Sequence, residues 1–260
     1  MYQPTQPNHL LNHKFPKLIK YTETVIPELS DILVYMWESE YYADVTSPYY
    51  ETYLADGCIA LVVSLVDQSI VWGGFSKAAK FEEPIYEKYL AFKFKPGAFY
   101  ALTGVESTVV MDTMRRIEEV DNSFDTVSFF ELSYEEMKHF LIDYFVKLAR
   151  NIKTMEYIQL FNNIHTNHIS NTRELYEFVK LSPRQIQRQF KKHYGLTPQM
   201  VLSIIKFQHC VAELLYERSE RAELRHIYYD QSKFNNEFKK NLGITPVEFV
   251  KLNKMRKMSF

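Results

Sequence analysis

Arg184, Gln187 and Arg188 stand at positions i, i+3 and i+4 of the run PRQIQRQF, in which the apolar residues Ile186 and Phe190 are four apart. On a helix this spacing gathers the three long polar side chains on one side and leaves the apolar pair for a core. A guanidinium can bond bidentately to the O6 and N7 edge of guanine, and a carboxamide to the N6 and N7 edge of adenine. Each good pair discriminates by about 1–3 kcal/mol. At an offset of 48 residues the corresponding run carries Gln231, Ser232, Lys233, Asn235 and Asn236, with no arginine. Shorter polar groups there imply weaker or less selective base contact. Lys191, Lys192, Lys239 and Lys240 follow the two polar faces and are candidates for phosphate contact. Thr197 and Thr245, each followed by proline, are candidate helix starts whose amide donors would suit the same anion.

Other chemistries find less support. The eight histidines are at positions 9, 13, 139, 165, 168, 193, 209 and 226, so none falls in the glycine-punctuated stretch Glu51–Val110 that would supply ligands in a metal-holding β enzyme. His165 and His168 have pair spacing, but they lie in a polar stretch that reads as a linker. The chain has no glycine-rich phosphate loop and no Gly-x-Ser-x-Gly, and its two cysteines, Cys58 and Cys210, are far apart. No catalysis, cofactor or resident metal is expected, and the cysteines are read as reduced structural thiols.

The polar faces need elements to hold them, and an internal repeat supplies these. LSPRQIQRQFKKHYGLTPQMVL, starting at Leu181, aligns without a gap with YDQSKFNNEFKKNLGITPVEFV, starting at Tyr229. Phe190, Lys191, Lys192, Gly195, Thr197 and Pro198 match Phe238, Lys239, Lys240, Gly243, Thr245 and Pro246. Each copy reads as a helix, a left-handed glycine stop, and a second helix opened by Thr-Pro. A short helix over Thr172–Val179 and a turn at Lys180–Ser182 complete a first helix-turn-helix. A brief helix over Arg221–His226 would precede the second, and a long helix over Gln199–Tyr216 would join the units. Upstream, apolar runs broken by five of the seven glycines predict strands between Glu51 and Val110, as in Ile59–Val66. Spacings of three and four then predict helices over Tyr134–Arg150 and Met155–Asn163. The first of these helices would either cover the sheet or carry a dimer face.

With these pieces in place, the C-terminal part resembles the AraC/XylS family of transcription regulators, through LSPRQIQRQFKKHYGLTP and YYDQSKFNNEFKKNLGITP. The resemblance covers about Asn171–Leu252 and implies two recognition helices entering successive major grooves of double-stranded DNA. The segments YLADGCIALVV and FKFKPGAFYALTGV are similar to the sensor-type domain of one branch of that family, with Ala55 and Lys93 standing where relatives tend to have proline and arginine. In the tail, Tyr176, Lys180 and Ile227 replace small residues or glycines, and the segment before Tyr228 is short.

The fold expected is therefore α+β: an N-terminal β-rich domain with trailing helices, then an all-α domain of two helix-turn-helix units joined by a long helix. Residues 1–165 form the regulatory part, 166–171 the linker and 172–260 the DNA-binding part, with units at about 172–200 and 220–250. Charge follows this division. The overall net charge is −1, yet residues 1–169 hold 14 basic against 23 acidic side chains and residues 170–260 hold 17 against 9. No stretch approaches a membrane span or a secretory signal, so a cytoplasmic location without membrane contact is expected. The partners implied are DNA, RNA polymerase in the case of an activator, a small-molecule effector and a second copy of the chain. Tyr49, Tyr50, Tyr53, Phe92, Phe94, Phe99 and Tyr100 read as core, so no effector residue is nominated. The alternative reading is a degenerate member that has lost specific DNA binding and acts through protein contacts.

Overall fold

The computed structural model of the chain describes residues 2–5, 18–42, 49–83, 88–216 and 231–257. Its strands are β1 (Ile19–Thr24), β2 (Leu33–Tyr41), β3 (Tyr49–Tyr53), β4 (Ile59–Ser64), β5 (Ser69–Gly73), β6 (Ala79–Glu83), β7 (Lys88–Phe94) and β8 (Met114–Arg116). Six of them form an antiparallel sheet in the order β1-β2-β7-β4-β5-β8, and β3 pairs with β6 separately. The register follows side-chain alternation. Leu33 and Ile59 flank Phe94, and Met36 and Leu61 flank Phe92, so one face of the central strands is apolar at these positions. Lys93, between the two phenylalanines, points to the other face.

Helices α1 (Ala98–Thr103), α2 (Ile117–Val120), α3 (Thr126–Phe130), α4 (Tyr134–Arg150) and α5 (Glu156–Thr166) follow. Ser133 and Glu136 cap the start of α4, the Ser133 N–H donating to the carboxylate at 2.8 Å. Met137, Leu141 and Phe145 then bury its inner stripe. The Phe145 ring lies 4.7 Å from Phe94, 5.2 Å from Phe92 and 5.9 Å from Trp72, so α4 covers the sheet. Two expectations for the N-terminal half need correction. The stretch 51–110 is not strand throughout: Ala98–Thr103 is helical, bounded by left-handed Gly97 and Gly104. Two strands, β1 and β2, also precede the stretch in which strands were expected.

The C-terminal part consists of α6 (Thr172–Val179), α7 (Pro183–Tyr194), α8 (Pro198–Tyr216), α9 (Gln231–Leu242) and α10 (Pro246–Lys257). These match the helices predicted there to within a residue or two. The brief helix expected over Arg221–His226, with Ile227, lies outside the described residues.

A single apolar core runs from the sheet into the first unit. It includes Phe92, Phe145 and Phe161, Ile169 in the connection between α5 and α6, and then Leu175, Ile186, Phe190, Val201 and Ile205. A second core gathers Phe207, Cys210, Val211, Leu214, Phe238 and Phe249, together with Leu54 from the N-terminal half. The helix α8 thus gives its first half to one core and its second half to the other.

Candidate nucleic-acid interface

Ser182 opens α7 with a capping box. Its hydroxyl accepts from the Gln185 N–H at 3.4 Å, and its own N–H donates to the Gln185 side chain at 3.0 Å. Pro183 fits the first turn because the helix needs no donor there. Ile186 and Phe190 are fully buried, while Arg184, Gln187, Arg188 and Lys191 are exposed on the other side. Among the described residues, Arg184, Gln187 and Arg188 make no hydrogen bond or ion pair, so a solvated, cationic, donor-rich row faces outward. The turn before α7 relies on Lys180, which takes a left-handed conformation at φ 56° and sends its N–H to the Tyr176 carbonyl at 3.1 Å. A lysine therefore performs here what glycine usually does, and the turn keeps its form at a strain of about 1–2 kcal/mol.

The second polar face is on α9. Ser232 and Asn236 are exposed and Asn235 is half-buried, in the same helical register as Arg184, Arg188 and Gln187 respectively. Phe238, fully buried, holds the opposite side against Phe207 at 5.1 Å and Phe249 at 5.7 Å. The side chains of Gln231 and Lys233 lie outside the description. Lys239 and Lys240 are exposed beyond this face.

The remaining anion candidates differ between units. Thr197 caps α8 through its hydroxyl, which accepts from the Met200 N–H at 3.2 Å, and the first turn of that helix holds no acid. Thr245 gives both its N–H and its hydroxyl to the Glu248 carboxylate at 2.7 Å. The hydrogen bond from the Thr245 backbone holds the Glu248 carboxyl below its usual range. A phosphate at that start would meet a carboxylate instead of the free amide donors expected there. Lys192 is half-buried, its ammonium 4.8 Å from the centre of the Tyr100 ring.

Lys192 belongs to a contact that sequence reasoning missed, the docking of the end of α7 on the N-terminal half. The His193 ring stacks on Tyr157 at 3.6 Å and meets the edge of Tyr100 at 4.4 Å. The Ser107 hydroxyl donates to the His193 carbonyl at 2.7 Å, and the Tyr194 hydroxyl to the Tyr157 carbonyl at 2.6 Å. Burial, then the Lys192 charge, pushes the His193 imidazole down to about 4. Residues remote in sequence assemble this contact, and no periodicity announces it.

A second pairing had a visible signal. Asp56 and Lys93, one from each quoted segment of the N-terminal half, form a buried ion pair at 2.5 Å. The Asp56 carboxylate also accepts from the Cys58 N–H at 2.9 Å. The Lys93 pKa is raised: burial opposes the charge, and the Asp56 carboxylate outweighs it. His165 and His168 join no metal-holding group of three or more ligands among the described residues. No described helix is long and apolar enough to cross a membrane.

Residues 175–252 match the family described as a helix-turn-helix domain, and residues 26–114 match a domain of unknown function (DUF6597). No curated protein sequence matches the chain. Similar solved structures include ToxT of Vibrio cholerae in an apo variant, with 10% identity over 90% of this chain and 96% of that one and a TM-score of 0.37. ToxT bound to (E)-4-(8-methylnaphthalen-1-yl)but-3-enoic acid is similar at 11% identity over 91% and 98%, TM-score 0.37. Wild-type ToxT bound to an unsaturated fatty acid is similar at 10% over 90% and 94%, TM-score 0.37.

Proposed function

We propose that the chain is an AraC/XylS-type regulator of transcription that reads a bipartite DNA site, a reading supported by the match of residues 175–252 to a helix-turn-helix domain. In this reading α7 and α9 enter successive major grooves on one side of the duplex, roughly one turn or ~34 Å apart. The observation that carries the reading is the exposed row Arg184, Gln187, Arg188 and Lys191 on a capped helix whose opposite side is fully buried. Arg184, Gln187 and Arg188 contact base edges and set most of the sequence preference. Ser232, Asn235 and Asn236, with Gln231 and Lys233, contact the second half-site with less discrimination. Lys191, Lys239 and Lys240 neutralise phosphates, and the start of α8 at Thr197 offers its amides to another. The N-terminal half acts as the sensor of a small effector.

Selection of duplexes from a mixed pool at two salt concentrations tests the reading. The expected result is an enriched two-part motif, lost in Arg184→Ala/Arg188→Ala. Binding that ignores both substitutions and disappears with salt would instead favour the protein-contact alternative.

A further inference from the structure

A cavity of about 180 Å³ lies between α5 and the segments just before β2 and just after β7, walled on its apolar side by Pro96, Met155, Ile158 and Phe161. At ~30 Å³ per water it has room for about six waters, the scale of a leucine or phenylalanine side chain. Two opposite charges share the lining, Lys95 and Asp31. Lys95 is only 6% exposed and its ammonium donates to the Ser30 carbonyl, which fixes the charge at the cavity wall. Burial pulls its pKa down, and the neighbouring Asp31 carboxylate acts the other way. Asp31 itself is exposed. A ligand with only a carboxylate would be drawn by Lys95 and repelled by Asp31, and one with only an amine would meet the reverse. A zwitterion with an apolar body satisfies both charges and fills the apolar wall.

We propose that this cavity binds a free apolar α-amino acid, its carboxylate toward Lys95, its ammonium toward Asp31 and its side chain against Ile158 and Phe161. The proposal rests on the sensor reading of the N-terminal half and names its effector class. The same wall supports the recognition helix. The Phe161 ring lies 5.5 Å from Tyr194, and Tyr157, next to Ile158, carries both the stacked His193 ring and the hydrogen bond from Tyr194. A Cβ built on Gly97 would lie 3.3 Å from the Ile158 nitrogen, the Tyr157 carbonyl carbon and the Tyr194 ring. So little slack means that displacement of α5 by a ligand is passed to the end of α7.

Calorimetric titration of the full chain, without DNA, with L-leucine and L-phenylalanine tests the site. The controls are 4-methylpentanoate, which lacks the amine, and isopentylamine, which lacks the carboxylate. At least one amino acid should bind saturably, one per chain, and at least tenfold more tightly than either control. Lys95→Met should weaken it tenfold or more, and Asp31→Asn should narrow the gap between amino acid and acid. Gln159→Trp, at an exposed rim position, should block the cavity, with circular dichroism confirming the fold, and it serves if Lys95→Met does not fold. No saturable binding, equal binding of 4-methylpentanoate, or affinities unmoved by the substitutions would overturn the proposal. Affinity for a selected duplex, measured with and without the amino acid, should shift fivefold or more, and no shift overturns the coupling to α7. A chain that binds the amino acid but no duplex would refute the DNA reading and leave the site standing.

Discussion

Replacing Gly195 and Gly243 by alanine perturbs two copies of one repeat in unequal surroundings. The two glycines close α7 and α9 in the left-handed region, at φ 70° and 73°, and both donate to the carbonyl four residues back at 2.9 Å. Alanine in that conformation costs about 1–2 kcal/mol at either position. The difference comes from the space around the new methyl group. At Gly243 no atom of the described residues lies within 4 Å of an added Cβ, so the backbone strain is the whole effect. At Gly195 the methyl would lie 2.7 Å from the Met111 Cβ and 2.8 Å from the Ser107 carbonyl oxygen, and backbone cannot rotate away as a side chain can. Overpacking of this kind costs roughly 1–3 kcal/mol more. Retreat of the Ser107 segment would also stretch its hydrogen bond to His193, worth about 1 kcal/mol. The expected totals are thus about 1–2 kcal/mol for Gly243→Ala and roughly 3–6 kcal/mol for Gly195→Ala. Urea unfolding followed by circular dichroism measures both. Losses equal to within about 0.5 kcal/mol would refute the docking of the first unit on the N-terminal half, because strain alone predicts equality.

Four other perturbations probe the interface and the fold. Arg188→Ala should weaken binding to a selected duplex by about 1–3 kcal/mol, or roughly 5- to 150-fold, and leave binding to random duplex nearly unchanged, as read by competition titration at fixed salt. Lys93→Met leaves the Asp56 carboxylate buried without its cation and should cost about 3–5 kcal/mol in urea unfolding, whereas a loss under about 1 kcal/mol would mean the pair is solvated. His193 has a folded pKa of about 4, below its unfolded value of ~6.5, so its contribution is intact above pH 6.5 and is lost as pH falls toward 4. Between pH 7 and pH 5 the urea midpoint should fall by the equivalent of about 1–2 kcal/mol in the wild type and by less in His193→Phe. Lys180→Gly relieves a left-handed lysine but adds freedom to the unfolded chain, for a net gain of up to about 1 kcal/mol, seen as a higher melting temperature.

The C-terminal elements were legible because their signals are local. Proline at the start, glycine at the stop and apolar residues four apart are all read within a few residues of α7. The N-terminal half hid more. Gly97 and Gly104 bracket AFYALT, and Phe99 and Leu102 at i and i+3 are both buried, a helical signal that the flanking aromatic run concealed. The strands β1 and β2 contain charged and aromatic residues in exposed or half-buried positions, so neither shows clean alternation. The polar faces were found because solvent-facing residues keep their sequence spacing. The Tyr100, Tyr157 and His193 contact was missed because it exists only after three separate segments have folded together. Lys180 shows the limit of composition in turns: a residue type that argued against the turn adopts its conformation.

The helix α8 has 19 residues, ~28 Å at 1.5 Å per residue, and it is seated in a different core at each end. It therefore fixes the phase between the units as well as their separation. One inserted residue would rotate the second unit by ~100° about the α8 axis, turning its polar face out of phase with that of the first unit. An insertion of three or four would restore the phase and lengthen the reach by ~5 Å. Under the bipartite reading proposed above, the permitted spacing of the half-sites is then counted in residues of one helix, and it changes in steps, with no gradual range between them.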